Sequence, residues 1–159
     1  MIVVSDTSPI SNLMTIGELE ILKSIFKKII IPEGVKRELE VIDKHRISLR
    51  NNEWISIQKI KDQKLLSELL ETLDQGESEA IVLALEKQAD YLLIDERKGR
   101  RIALKYGLKI TGLLGVLSTA KHKGIIDQVA PYIDKLMLVS GFRIGVKLRN
   151  QILRDLKEL

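Results

Sequence analysis

The chain contains no cysteine among its 159 residues. That excludes a disulfide framework, a thiol nucleophile and a zinc–thiolate site, and it fits a reducing compartment. Histidine is scarce as well: only His45 and His122 carry an imidazole, they are far apart in sequence, and each reads as a surface or capping residue. With two Phe, three Tyr and one Trp, stacking of bases on aromatic rings is not a theme of this sequence. The apolar runs fall well short of a membrane span, and an acid at position 6 breaks any signal-peptide reading of the N-terminus, so the expected location is the cytoplasm. No segment is low in complexity. Hydrophobic residues make up 45% of the chain and charged ones 30%, the balance of a globular domain rather than a disordered or fibrous one.

What is present is unevenly distributed. The formal net charge is +4, but residues 97–159 carry 14 Lys/Arg against 4 Asp/Glu, so the preceding part is acidic. An acidic first part suits a cation, whereas a basic last part suits a polyanion or simply a solvated surface.

The hydrophobic pattern alternates between short β-branched runs and helical periods. Ile2-Val3-Val4, Lys28-Ile-Ile-Ile31, Trp54 to Ile60, Tyr91 to Ile94 and Leu108-Lys-Ile110 read as strands, the third of them an edge strand. Between them lie helical stretches: Leu13 to Phe26 broken by Gly17, one opened by Pro32, Leu65 to Leu73, Glu77 to Ala89 and Arg97 to Tyr106. Residues 43–53 are polar and read as loop. From Thr111 onward the pattern is helical. Repeated β-then-α units predict an α/β class domain, three-layer α/β/α, with a mainly parallel central sheet and right-handed crossovers.

Four acids stand at comparable places in these units. Asp6 follows the first strand and Asp95 the fourth, where open α/β sheets bind ligands. Glu38 lies in the helix after Pro32, about 60° from Val35 on a helical wheel, so it flanks the buried stripe. Gly76-Glu-Ser-Glu-Ala80 offers both Glu77 and Glu79, which point about 200° apart on a helix. Glu77 shares a face with the small residues Ala80 and Ala84 and is preferred. Each acid taken singly also reads as a helix cap or a surface residue. Gathered at one rim, such carboxylates raise one another's pKa unless a cation neutralises them. Hard cations such as Mg²⁺ accept oxygen ligands, activate water and stabilise charge on a phosphodiester. Arg97, Lys98, Arg100 and Arg101 adjoin the fourth acid and could hold phosphates, with a solvated helix face as the plain alternative. No phosphate-binding loop, dinucleotide fingerprint or nucleophile elbow occurs.

Val-Val-Ser-Asp6-Thr-Ser-Pro-Ile-Ser-Asn-Leu, Ile-Pro32-Glu-Gly-Val-Lys-Arg-Glu38-Leu, Gly76-Glu-Ser-Glu-Ala-Ile and Leu-Leu-Ile-Asp95-Glu-Arg-Lys together resemble the PIN domain, in the same order. More narrowly they are similar to a prokaryotic subfamily of PIN-like proteins related to VapC toxins. The likeness covers about residues 1–125, leaving 126–159 as a helical extension packed on the same domain or on a neighbouring protomer. It implies a Mg²⁺- or Mn²⁺-binding acid pocket made by Asp6, Glu38, Glu77 and Asp95, with Ser8 as a supporting hydroxyl. It further implies RNA cleavage, frequent homodimers and often an antitoxin partner. Glutamate stands at the third acid position, where aspartate is usual, and the threonine that many members carry two residues before the fourth acid is absent. The leading expectation is a metal-dependent ribonuclease. Its rival is a non-catalytic nucleic-acid-binding or protein-interaction module that keeps the pocket.

Overall fold

The computed structural model describes all 159 residues. The chain runs through β1 (Val3–Ser5), α1 (Thr7–Thr15), α2 (Glu20–Phe26), β2 (Ile29–Pro32), α3 (Glu33–Glu40), α4 (Asp43–Asn51) and β3 (Ile55–Gln58). It continues with α5 (Gln63–Leu70), α6 (Gln75–Glu86), β4 (Tyr91–Leu93), α7 (Arg97–Lys105), β5 (Ile110–Thr111) and α8 (Leu113–His122). A helical tail follows, made of α9 (Ala130–Lys135), a π-helical turn over Leu136–Ser140, and α10 (Val146–Asp155).

The five strands pair in parallel throughout, in the order β3-β2-β1-β4-β5. Because side chains alternate across a strand, Val3 enters one core and Val4 the other, and Leu93 and Leu92 divide in the same way. The first core lies against α1, α2, α3, α8 and α9, the second against α5, α6 and α7. This is a three-layer α/β/α arrangement, and it explains why the strands read as continuous apolar runs. After β1 the chain adds strands on one side, then crosses to the other for β4 and β5. The crevice at the carboxyl ends of β1 and β4 is therefore the point where the winding reverses, the place where such sheets bind ligands.

Two local features depart from the sequence pattern. Residues 43–53 are largely helix: α4 buries only His45 and Leu49, four residues apart, and a stripe that narrow leaves almost no hydrophobic signal. Ile42, seven residues after Val35 and so at a helical repeat of that buried position, is exposed where α3 gives way to α4. Gly17, with φ +73°, supplies the left-handed turn that separates α1 from α2.

The extension packs on its own chain. Val129, Ile133, Leu136 and Leu153 belong to the same core as β2 and α1. Near the C-terminus the buried carboxylate of Glu158 accepts from the N–H groups of Val129 and Ala130 and from Lys121 Nζ at 2.8 Å. Burial alone would raise this carboxyl, but Lys121 and those two N–H groups hold it below its usual range. No helix is long and apolar enough to cross a membrane.

Candidate functional site

Asp6, Glu38, Glu77 and Asp95 all line one cavity of about 720 Å³ at the carboxyl rim of the sheet. Thr7, Ser8, Ser11, Asn12, Asp74, Glu96 and Lys98 complete most of its wall. Each acid is placed by a different element. Asp6 occupies the N-cap position of α1 yet makes no capping hydrogen bond, and its backbone N–H donates to Leu93 O. Thr7 donates its hydroxyl to Glu38 Oε2, while Gly76 N–H donates to Glu38 Oε1 at 3.2 Å. Glu77 sits in the first turn of α6, whose N-cap Asp74 accepts from Glu77 N–H at 2.8 Å. Asp95 accepts from Leu113 N–H at 2.7 Å, which ties the end of β4 to the start of α8.

Three glycines let these carboxylates come in, the first being Gly76, where a Cβ would clash with the Glu38 carboxylate. A Cβ on Gly99 would lie 2.6 Å from Glu77 Oε2, and one on Gly112 would lie 2.7 Å from Asp95 Oδ1. The cost of the arrangement is electrostatic. Burial pushes Asp6 up to about 7 against the N–H of Thr7, and the charges of Asp74, Glu38 and Asp95 push the same way. Glu77 is raised to about 8 by burial, then by the hydrogen bond and charge of Asp74 and by the charge of Asp6. Asp95 is also raised by burial, with Leu113 N–H and Arg100 opposing. Glu77 Oε2 and Asp95 Oδ2 are buried without any hydrogen-bond partner.

Glu79 faces elsewhere. It accepts from Gly34 N–H at 3.1 Å and pairs with Arg37 at 3.3 Å, joining α6 to α3. Of the four cations adjoining Asp95, Lys98 lines the cavity, while Arg97 and Arg101 are exposed on α7 and make no ion pair with any acid. Arg100 is engaged otherwise, because its Nη1 donates to Ile94 O at 2.8 Å beside Asp95. Sequence reasoning passed over Asp74, although the Asp74-x-x-Glu77 spacing is a capping signal that marks the start of α6. It also passed over Ser11 and Asn12. Ser8, expected as a supporting hydroxyl, accepts from Asn12 Nδ2 at 3.0 Å on the cavity wall.

A family model described as a PIN domain matches residues 2–158. The chain belongs to the PIN-domain family. PIN domains are generally nucleases that use divalent metal ions. The match runs through the C-terminal extension, as the shared core does. Among solved structures, a PilT N-terminus domain protein from the hyperthermophilic archaeon Sulfolobus solfataricus P2 shares the fold. It is 20% identical, with a TM-score of 0.53, over 76% of this chain and 93% of that one. No curated protein matches the chain.

The donor chemistry of the cavity fits a hard divalent cation. Its acids offer only oxygen, and the unpartnered Glu77 Oε2 and Asp95 Oδ2 are the kind of atoms that a cation would satisfy. They are not drawn into a finished cage: no group of three or more His, Asp or Glu side chains stands in a metal-holding arrangement. Glu38 is occupied by Thr7 and Gly76, and Asp74 by the α6 backbone. Metal entry therefore requires side-chain adjustment, which Mg²⁺ tolerates because it typically keeps several waters and uses few carboxylates.

Proposed function

We propose that this PIN-domain protein is a Mg²⁺- or Mn²⁺-dependent ribonuclease and, within that class, the toxin of a toxin–antitoxin pair. One observation carries the reading: buried, unpartnered carboxylate oxygens on Glu77 and Asp95, in a cavity they share with Asp6, Glu38 and Asp74. Asp6, Glu38, Glu77 and Asp95 are the ligand set of this reading. When bound, the cation would supply an activated water and stabilise the charge that develops on the phosphodiester.

The rest follows from the chain itself. With the cation's charge in the cavity, Asp6, Glu77 and Asp95 stay ionised at neutral pH, because that charge offsets the burial that raises all three and the carboxylate repulsion that adds to it at Asp6 and Glu77. Lys98 on the cavity wall meets the phosphate as it enters. Arg97, Arg101 and Lys105 recur every four residues along α7 and are exposed, so they present a line of charge to the strand beyond the cleavage point. Arg100 serves by holding the Ile94–Asp95 corner. The reading includes two protein contacts, a second copy of the chain and an antitoxin, for which Leu138, Val139, Val146 and Leu148 offer exposed apolar area.

A second reading, an RNA-binding module without turnover, is favoured by the engagement of Glu38 and Asp74 in hydrogen bonds. One experiment separates the two. End-labelled RNA incubated with Mg²⁺ or Mn²⁺ should be cut by the wild-type protein and left intact in EDTA. Asp6→Asn should abolish the cutting while leaving the fold in place. Binding without cleavage under every metal condition selects the second reading.

A further inference from the structure

His45 is 4% exposed, and both of its ring nitrogens face hydroxyls of α1: Nδ1 lies 3.4 Å from Ser11 Oγ and Nε2 3.2 Å from Thr15 Oγ1. The proton positions follow from what else those hydroxyls do. Thr15 Oγ1 donates to Ser11 O at 2.9 Å, so its single proton is used and it can only accept from the ring. Nε2 must then carry the imidazole proton. Burial lowers the pKa of His45, which keeps the ring neutral, so Nδ1 is left as a bare acceptor. The one donor facing it is the hydroxyl of Ser11, and Ser11 lines the acid cavity.

We infer that His45 is a positioning residue that holds the Ser11 hydroxyl with its proton turned inward and its lone pairs turned to the cavity, where Ser11 accepts from a cavity water. The hydrogen-bonded relay runs from Thr15 through His45 to Ser11 and on to solvent. A serine left free beside several carboxylates would donate to one of them, and that orientation offers nothing to an O–H donor. Bound to His45, Ser11 becomes a neutral acceptor on the wall where the proposed hydrolysis needs an oriented water. For its effect on turnover the inference rests on the ribonuclease reading. For the proton positions it does not.

Two measurements test it. The first needs no activity: nitrogen-15 spectra of the two histidines in the metal-free protein at mildly alkaline pH. His45 should show the Nε2–H tautomer, with an unprotonated Nδ1 whose resonance moves in Ser11→Ala. His122 is an internal contrast, since its Nδ1 lies 2.8 Å from the Ser118 carbonyl and must carry the proton. An Nδ1–H tautomer at His45, or an Nδ1 resonance unmoved by Ser11→Ala, overturns the inference.

The second measurement is RNA cleavage by His45→Asn and His45→Gln. Asn places an acceptor oxygen where Nδ1 lies, whereas Gln restores the contact to Thr15 and loses the one to Ser11. His45→Gln and Ser11→Ala should each lower kcat/KM by roughly five- to tenfold, the worth of one hydrogen bond, and the double variant should be no slower than either. His45→Asn should retain most of the rate. Equal losses in the Asn and Gln variants, or losses that multiply in the double variant, mean that His45 acts only through packing. Were the wild-type protein inert toward RNA, the ribonuclease reading would fall while the spectra still decided the orientation of Ser11.

Discussion

At the level of single residues, the chemistry is concentrated in carboxyls that are raised by burial and, at Asp6 and Glu77, further raised by neighbouring acids. Asp6, near 7, and Glu77, near 8, bind protons in the folded metal-free protein at a pH where the unfolded chain, near 3.8 and 4.5, has released them. Stability from these two groups is thus fully present below the unfolded values and is lost as pH rises through about 7 and 8. Thermal unfolding in EDTA should show wild type losing stability between pH 5 and about 8 relative to a D6N/E77Q variant, which lacks both titrations. Mg²⁺ should raise the wild-type midpoint more at the upper end of that range than at the lower, because the ligands must be deprotonated. A metal response independent of pH would mean that the cation binds elsewhere. That Asp6, Glu38, Glu77 and Asp95 come to one cavity was legible from strand ends and helix faces. The engagement of Thr7 with Glu38 was not, since a hydroxyl and a carboxylate 31 positions apart leave no periodic trace.

Elements decide how closely those residues approach. The N-terminus of α7 packs on the first turn of α6 through Gly99, where any side chain would meet Glu77 Oε2 and, at 2.7 Å, Ile94 Cδ1. Gly99→Ala should therefore cost about 1–3 kcal/mol as overpacking and displace Glu77. Denaturant unfolding gives the first quantity, and a weakened metal-induced rise in the unfolding midpoint gives the second. A variant as stable as wild type, with an undiminished metal response, would show that Glu77 is not held by this contact. Strand and helix order was readable because buried parallel strands give unbroken apolar runs and amphipathic helices give a 3.6-residue period. Helix α4 was not readable, having only His45 and Leu49 to bury, and its absence from the pattern also hid the contact of His45 with Ser11 and Thr15.

For the whole molecule, the sheet brings distant segments to one rim, and the tail completes the core. The resemblance to the PIN domain covers about residues 1–125, yet apolar contacts run across position 125 to Leu153. A chain ending at residue 125 should not fold cooperatively, and Leu153→Ala in the full chain should cost about 2–5 kcal/mol by circular dichroism melts. A stable, two-state 1–125 fragment would show the tail to be an accessory. The central claim is that Asp6, Glu38, Glu77 and Asp95 form a divalent-cation site. Crystals grown with Mn²⁺ and measured at the manganese absorption edge test it most directly. The account predicts an anomalous peak between these four side chains, with Glu77 and Asp95 among its oxygen ligands, and none in Asp6→Asn crystals. A well-ordered cavity with no peak at millimolar Mn²⁺, or a peak at some other cluster, would contradict it.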